Sequence, residues 1–114
     1  MFIPSHLSAW VCTAPTDMRR SFNGLSALAR EVIRQEPTSG HLFVFFSRRR
    51  DCVKILYWDI SGFCIWSKRL EEGTYAKTSS SDNAESIQLD RAQLLLILEG
   101  IDLKETRKRK RFAL

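Results

Sequence analysis

The chain has 114 residues, 44% of them hydrophobic, with 18 basic and 13 acidic side chains and a formal net charge of +5. One domain accounts for that length, since domains mostly run to about 100–150 residues, which excludes most multidomain enzymes and any long repeat array. Five glycines and three prolines exclude a collagenous or low-complexity chain, and no apolar run approaches the ~18 residues of a membrane span.

Residues 7–12 (Leu-Ser-Ala-Trp-Val-Cys) read as a short strand. Pro15, Thr16 and Asp17 form a turn, with Asp17 as the N-cap of a helix. Over 18–35, Phe22, Leu25, Leu28, Ala29, Val32 and Ile33 recur at helical spacing and predict one long amphipathic helix. Gly24 inside it costs about 1 kcal/mol against alanine, which predicts close packing of another backbone there. Pro37 and Ser39-Gly40 end the element.

The densest β signal comes next. His41 to Phe46 is apolar on both faces, as in a strand covered on both sides. Cys52 to Trp58 and Phe63 to Arg69 come after it, separated by the polar runs Ser47–Asp51 and Asp59–Gly62. Three strands joined by short turns predict an antiparallel meander, and Thr74-Tyr75 a fourth start. Residues 77–86 are polar and read as a loop. Ile87 and Leu89 predict a brief strand. Asp90 and Gln93 have capping-box spacing for a short C-terminal helix stopped by Gly100. The fold class is therefore α+β: a meander of three to five strands, one long and one short helix, within a single domain over residues 1–103.

The charge sits at the end. Residues 104–111 hold six basic groups (Lys104, Arg107, Lys108, Arg109, Lys110 and Arg111) and one acid, Glu105. Taking these from the totals leaves twelve basic and twelve acidic groups for the rest. A neutral domain with a basic tail over 104–114 suits a polyanion, most often nucleic acid. Arg48, Arg49 and Arg50 form a second basic cluster. Guanidinium forks match phosphate oxygens in pairs, and a hairpin tip can enter a DNA groove. For the meander aromatics Phe43, Phe45, Phe46, Tyr57, Trp58, Phe63 and Trp66, core packing is a better account than base stacking. Leu94 to Leu98 are five consecutive apolar residues and cover the whole circumference of a helix. Burial within the domain is the first reading; a partner surface at Leu94, Leu95 and Leu98 is the second.

No catalytic constellation emerges. There is no phosphate-binding Gly-rich loop and no nucleophile elbow. The aspartates fall at turns and caps, and His41 has no visible partner. Cys12, Cys52 and Cys64 are odd in number and lack zinc spacing, so free thiols are expected, with neither metal nor cofactor. The first residues lack a basic stretch followed by an apolar one, and the expectation is a soluble cytoplasmic protein.

Ordered motifs sharpen this. Thr16-Asp17-Met18-Arg19, then Phe22-Asn23-Gly24-Leu25, open the series. Ser39-Gly40-His41-Leu42-Phe43-Val44-Phe45, Arg48-Arg49-Arg50-Asp51 and Lys54-Ile55-Leu56-Tyr57-Trp58-Asp59 continue it. Gly62-Phe63, Lys68-Arg69-Leu70-Glu71-Glu72-Gly73 and the stretch from Gln93-Leu94 through Glu99-Gly100-Ile101-Asp102 close it. Over residues 8–102 this set resembles the accessory TnpB family of the insertion sequences numbered sixty-six, which is distinct from the longer RNA-guided nuclease of the same name. Asn23 stands where many relatives have Asp. The resemblance implies a small protein encoded beside a separate transposase, one that supports movement of the element and is not itself the strand-transfer enzyme. It supplies no catalytic residues. From the basic clusters and the apolar run, the expected partners are that transposase and DNA, including the element ends.

Overall fold

The computed structural model describes residues 7–77 and 84–100. Among them, five strands form one sheet: β1 (Ala9–Cys12), β2 (Leu42–Phe46), β3 (Cys52–Asp59), β4 (Gly62–Arg69) and β5 (Ser86–Leu89), in the spatial order β4-β3-β2-β1-β5. Strands β2, β3 and β4 are the predicted antiparallel meander, with Phe46 opposite Val53 and Cys52 opposite Arg69. The sheet as a whole is mixed, because β1 runs parallel to β2, Val11 facing Val44. Parallel neighbours need a crossover, and the helical segment between β1 and β2 supplies it. β5 then closes antiparallel on β1.

The long helix predicted over 18–35 is shorter. Helix α1 spans Phe22–Leu28 and passes directly into a π turn over Ala29–Ile33. Two local choices set its length. At the start, Asp17 does not cap the helix: its carboxylate accepts from the Arg19 backbone N–H at 2.9 Å and from the Arg19 guanidinium at 2.7 Å. Residues 17–20 are thereby held as a separate turn, and Ser21 precedes the helix without a side-chain bond to it. At the end, Arg34 is left-handed (φ 64°), and the Gln35 N–H reaches back to the Ala29 carbonyl at 3.1 Å, one residue wider than a Schellman closure, as suits a π turn. The wide π turn keeps Ala29 and Ile33 in line with Leu25, and all three are buried. Gly24 meets no other backbone; its nearest neighbours are the Cβ and Cγ of Arg20.

Helix α2 spans Arg91–Leu98 and begins with the predicted capping box. The Gln93 N–H donates to Asp90 Oδ1 at 2.8 Å, and the Asp90 N–H donates to Gln93 Oε1 at 3.0 Å. The two helices cover opposite faces of the sheet. Phe43, Phe45, Leu56 and Cys12 pack under Leu25, Ala29 and Ile33. Val11, Val44, Phe46, Val53 and Ile55 pack with Leu94, Ile97 and Leu98. This three-layer arrangement explains β2, in which every residue is buried. Each such Leu, Val or Phe side chain contributes roughly 1.5–3 kcal/mol over leaving it in water.

Residues 70–76 do not form the expected fourth strand. They are a strap that returns to the β2–β3 turn: the Leu70 N–H donates to the Asp51 carbonyl and the Tyr75 N–H to the Arg50 carbonyl, both at 2.7 Å. Tyr75 is 1% exposed and its ring lies 5.3 Å from that of Phe46. Its hydroxyl finds no hydrogen-bond partner among the described residues. Burial first, then the Cys52 thiol and the Asp51 carboxylate, push its pKa up to about 12. An unsatisfied buried donor costs about 1–3 kcal/mol. Tyr75→Phe is therefore expected to raise the unfolding free energy by about 1 kcal/mol, read from the midpoint of a urea titration. A fall would mean the hydroxyl has a partner in solution.

Candidate nucleic-acid interface

The β2–β3 hairpin carries the arginine cluster. The Arg50 N–H donates to the Ser47 carbonyl at 2.9 Å, and Arg50 takes a left-handed φ of 58°, the geometry of a tight turn ending in a residue that restores the strand register. Ser47 pins the loop from inside. Its hydroxyl donates to Asp51 Oδ1 at 3.1 Å and accepts from the Cys52 N–H at 3.1 Å. This loop separates the three arginines. Arg48 and Arg49 at its apex are exposed, whereas Arg50 is half-buried. The Arg50 guanidinium lies 4.3 Å from the centre of the Phe46 ring and donates through Nε to the Tyr75 carbonyl at 3.2 Å. A second donation, from Nη2, goes to the Ala76 carbonyl. Arg50 thus ties the strap to the hairpin, while its two neighbours face solvent.

The register gathers further basic residues around this turn. Arg69 pairs with Cys52 and Lys68 with Val53, so the end of β4 lies beside the start of β3. The Thr16 N–H donates to the Phe46 carbonyl at 2.9 Å, which brings the 17–20 turn to the same end of the sheet. There Lys54 Nζ donates to the Arg20 carbonyl at 2.9 Å. Lys77 comes directly after the strap. Among the acids here, Asp17 is engaged by Arg19, Glu71 by Arg69 at 3.5 Å and Asp51 by Ser47, and Glu72, Glu85 and Glu99 lie at this end as well. The Arg19 hydrogen bonds hold the Asp17 carboxyl down to about 2. Arg20, Arg48 and Arg49 have no ion-pair partner among the described residues. The opposite end of the sheet carries Asp59 and Asp90, with Arg91 next to the latter. Lys68-Arg69 and Arg19-Arg20 read from sequence as ordinary solvated pairs. The signal that finds them is the hairpin register, because two short turns return β4 to the arginine end.

Helix α2 ends at this basic end too: Lys68 Nζ reaches the Leu98 carbonyl at 3.5 Å, and Gly100 exits with φ 82°. The predicted contacts Lys104, Arg107, Lys108, Arg109, Lys110 and Arg111 lie outside the described residues. The partner surface predicted at Leu94, Leu95 and Leu98 is corrected in two of its three positions. Leu94 and Leu98 are buried against the sheet, because α2 turns that stripe inward, whereas Leu95 and Leu96 are 42% and 39% exposed.

Chemistry-bearing side chains do not converge. His41 Nδ1 accepts from the Ser8 N–H at 3.1 Å. Cys12 is buried, and burial raises its pKa; Cys52 and Cys64 are half-buried, and all three are free thiols. Among the described residues no group of His, Cys, Asp and Glu is placed to hold a metal, and no helix is long and apolar enough to cross a membrane.

Fold and site together define a small three-layer domain whose charge is gathered at one end of its sheet. The sequence matches the model of the IS66 Orf2-like proteins, the TnpB family of these insertion sequences, over residues 7–108, and the chain belongs to that family. Membership puts it among the accessory proteins of an insertion sequence. Two relatives come from Sinorhizobium fredii. The uncharacterized protein y4hO is 36% identical over 97 residues, covering 85% of this chain and 83% of that protein. The uncharacterized protein y4jC is 32% identical over 103 residues, covering 90% and 86%. No solved structure matches.

Proposed function

We propose that the chain is a non-enzymatic accessory factor in transposition that holds DNA by its phosphates and works beside the separate transposase. The observation that supports this best is convergence: the exposed Arg48 and Arg49, the pair Lys68-Arg69, Arg20 and the point where the chain leaves α2 all belong to one end of the sheet. A duplex laid there meets the hairpin apex, and the basic run 104–111 follows in sequence from the residue that leaves α2 at this end. Arg50 acts one step back, fixing the loop that presents its neighbours. Phosphate contact of this kind positions a protein without reading sequence. Any preference for element ends rests on further contacts to bases or on duplex shape.

Fluorescence anisotropy of the full chain with element-end and scrambled duplexes, over a salt series, tests this. About five phosphates neutralised gives a slope of log K against log salt near −4.5. Replacing Arg48 and Arg49 by glutamate, and separately the six basic residues of 104–111 by glutamine, is expected to flatten that slope in both cases. No binding by any form, with co-purification of the transposase instead, would favour a protein-interaction module, to which the exposed Leu95 and Leu96 are suited.

A further inference from the structure

The two edges of the sheet differ. β5 is four residues long, whereas β4 is eight residues long and, among the described residues, pairs along its full length with β3 on one side only. Long, open edges are normally blunted by proline, a bulge, charged side chains or a covering loop, and of these β4 itself has only the charges of Lys68 and Arg69 at its end. Within β4 there is no proline, its pairing with β3 runs without a bulge, and its first half (Phe63, Cys64, Ile65, Trp66) is apolar and half-buried. The Leu70 N–H points to the carbonyl of Asp51, the residue before β3. Backbone groups alternate along a strand, so those of Phe63, Ile65, Ser67 and Arg69 point outward. Four residues' worth of ladder hydrogen bonding is thereby open to a partner.

We infer that the β4 edge pairs with β4 of a second copy, antiparallel, about a two-fold axis perpendicular to the sheet, which makes one continuous sheet across two chains. Charge selects this occupant. β4 ends in Lys68-Arg69 and begins at Gly62, which lies opposite Asp59. A two-fold at Ile65 sets Ile65 against its own copy, Cys64 against Trp66, and Lys68 against Gly62. Lys68 and Asp59 lie on the same face by strand alternation. The lysine of one copy therefore meets a position with no side chain and a carboxylate one strand further on. A parallel pairing would instead juxtapose Lys68-Arg69 with itself, and like charges facing across strands destabilise. Only the antiparallel arrangement closes, which leaves no new edge at the interface.

Sedimentation equilibrium of the full chain under reducing conditions is expected to give a dimer. Ile65→Lys puts two ammonium groups on the axis and is expected to weaken the dimer at least about tenfold, the equivalent of ~1.4 kcal/mol. Its circular dichroism should stay that of the native fold. Should Ile65→Lys fail to fold, Ser67→Pro serves in its place, because the Ser67 N–H faces away from β3 and proline is tolerated on such an edge. Ile65→Cys supplies an independent reading. Facing residues of a hydrogen-bonded pair have Cα atoms about 5.5 Å apart, within disulfide range, so this variant is expected to cross-link on oxidation while Ser67→Cys is not. A monomer at every concentration, or a dimer indifferent to folded edge variants, overturns the inference.

Discussion

Arg50→Ala is expected to lower the unfolding free energy by about 3 kcal/mol, whereas Arg48→Ala and Arg49→Ala each change it by less than about 0.5 kcal/mol. All three are arginines in one turn, so only their surroundings can separate them. Arg50 donates to the carbonyls of Tyr75 and Ala76 and stacks on Phe46. A hydrogen bond from a charged donor contributes roughly 1.5–3 kcal/mol, and a cation over an aromatic face about 0.5–1 kcal/mol at an exposed site. Partial exposure of the guanidinium keeps the total below the sum of these. Removing it also strands two strap carbonyls and loosens Tyr75 from Phe46. Arg50→Lys is expected to recover little, because an ammonium cannot donate as a planar fork and stack at once. Arg50→Gly should cost about 1 kcal/mol less than the alanine, since glycine takes φ 58° without the left-handed penalty. Chemical denaturation of these variants reads all of this; equal effects at positions 48 and 50 would refute the anchoring role.

Leu94→Ala is expected to cost about 3 kcal/mol, and Leu95→Ala less than about 0.5 kcal/mol. The residues are adjacent in a run of five apolar side chains, but Leu94 is fully buried against the sheet while Leu95 is 42% exposed. Truncating Leu94 leaves a cavity in the core cluster it shares with Val44, Val53 and Ile97. Truncating Leu95 removes only surface. If Leu95→Ala leaves the fold intact but abolishes capture of the transposase, α2 has two working faces, one for the core and one for a partner.

How much of the fold is legible in the sequence depends on the range of the interaction. The hairpin strands are readable because Val, Ile and aromatic residues are dense there and the turns between them are short. The α2 capping box is readable because Asp90 and Gln93 are three residues apart. The length of α1 is not, since helical periodicity runs through residues 18–35 while Asp17 and Arg34 each settle into a competing local state. The parallel pairing of β1 with β2 is hidden because it joins residues more than thirty positions apart. At the candidate site, the exposure of Arg48 and Arg49 comes with a turn apex, but the withdrawal of Arg50 depends on a strap at Tyr75 and Ala76 that belongs to no regular element. Of the apolar run, composition alone says that one face has to be buried, and it does not say which.

The gathering of basic residues at one end of the sheet, with Asp59 and Asp90 at the other, gives the molecule an electrostatic axis as well as a net charge. In the field of a polyanion such an object feels a torque before it feels a contact. It turns its arginine end forward across a gap of up to a Debye length, about 8 Å at physiological salt, and so spends fewer encounters in unproductive orientations. Steering of this kind raises the association rate and fades as salt is added. Reversing the charge at positions 48 and 49 would slow arrival more than it would hasten departure, even in a variant that keeps its overall charge through lysines added at the far end.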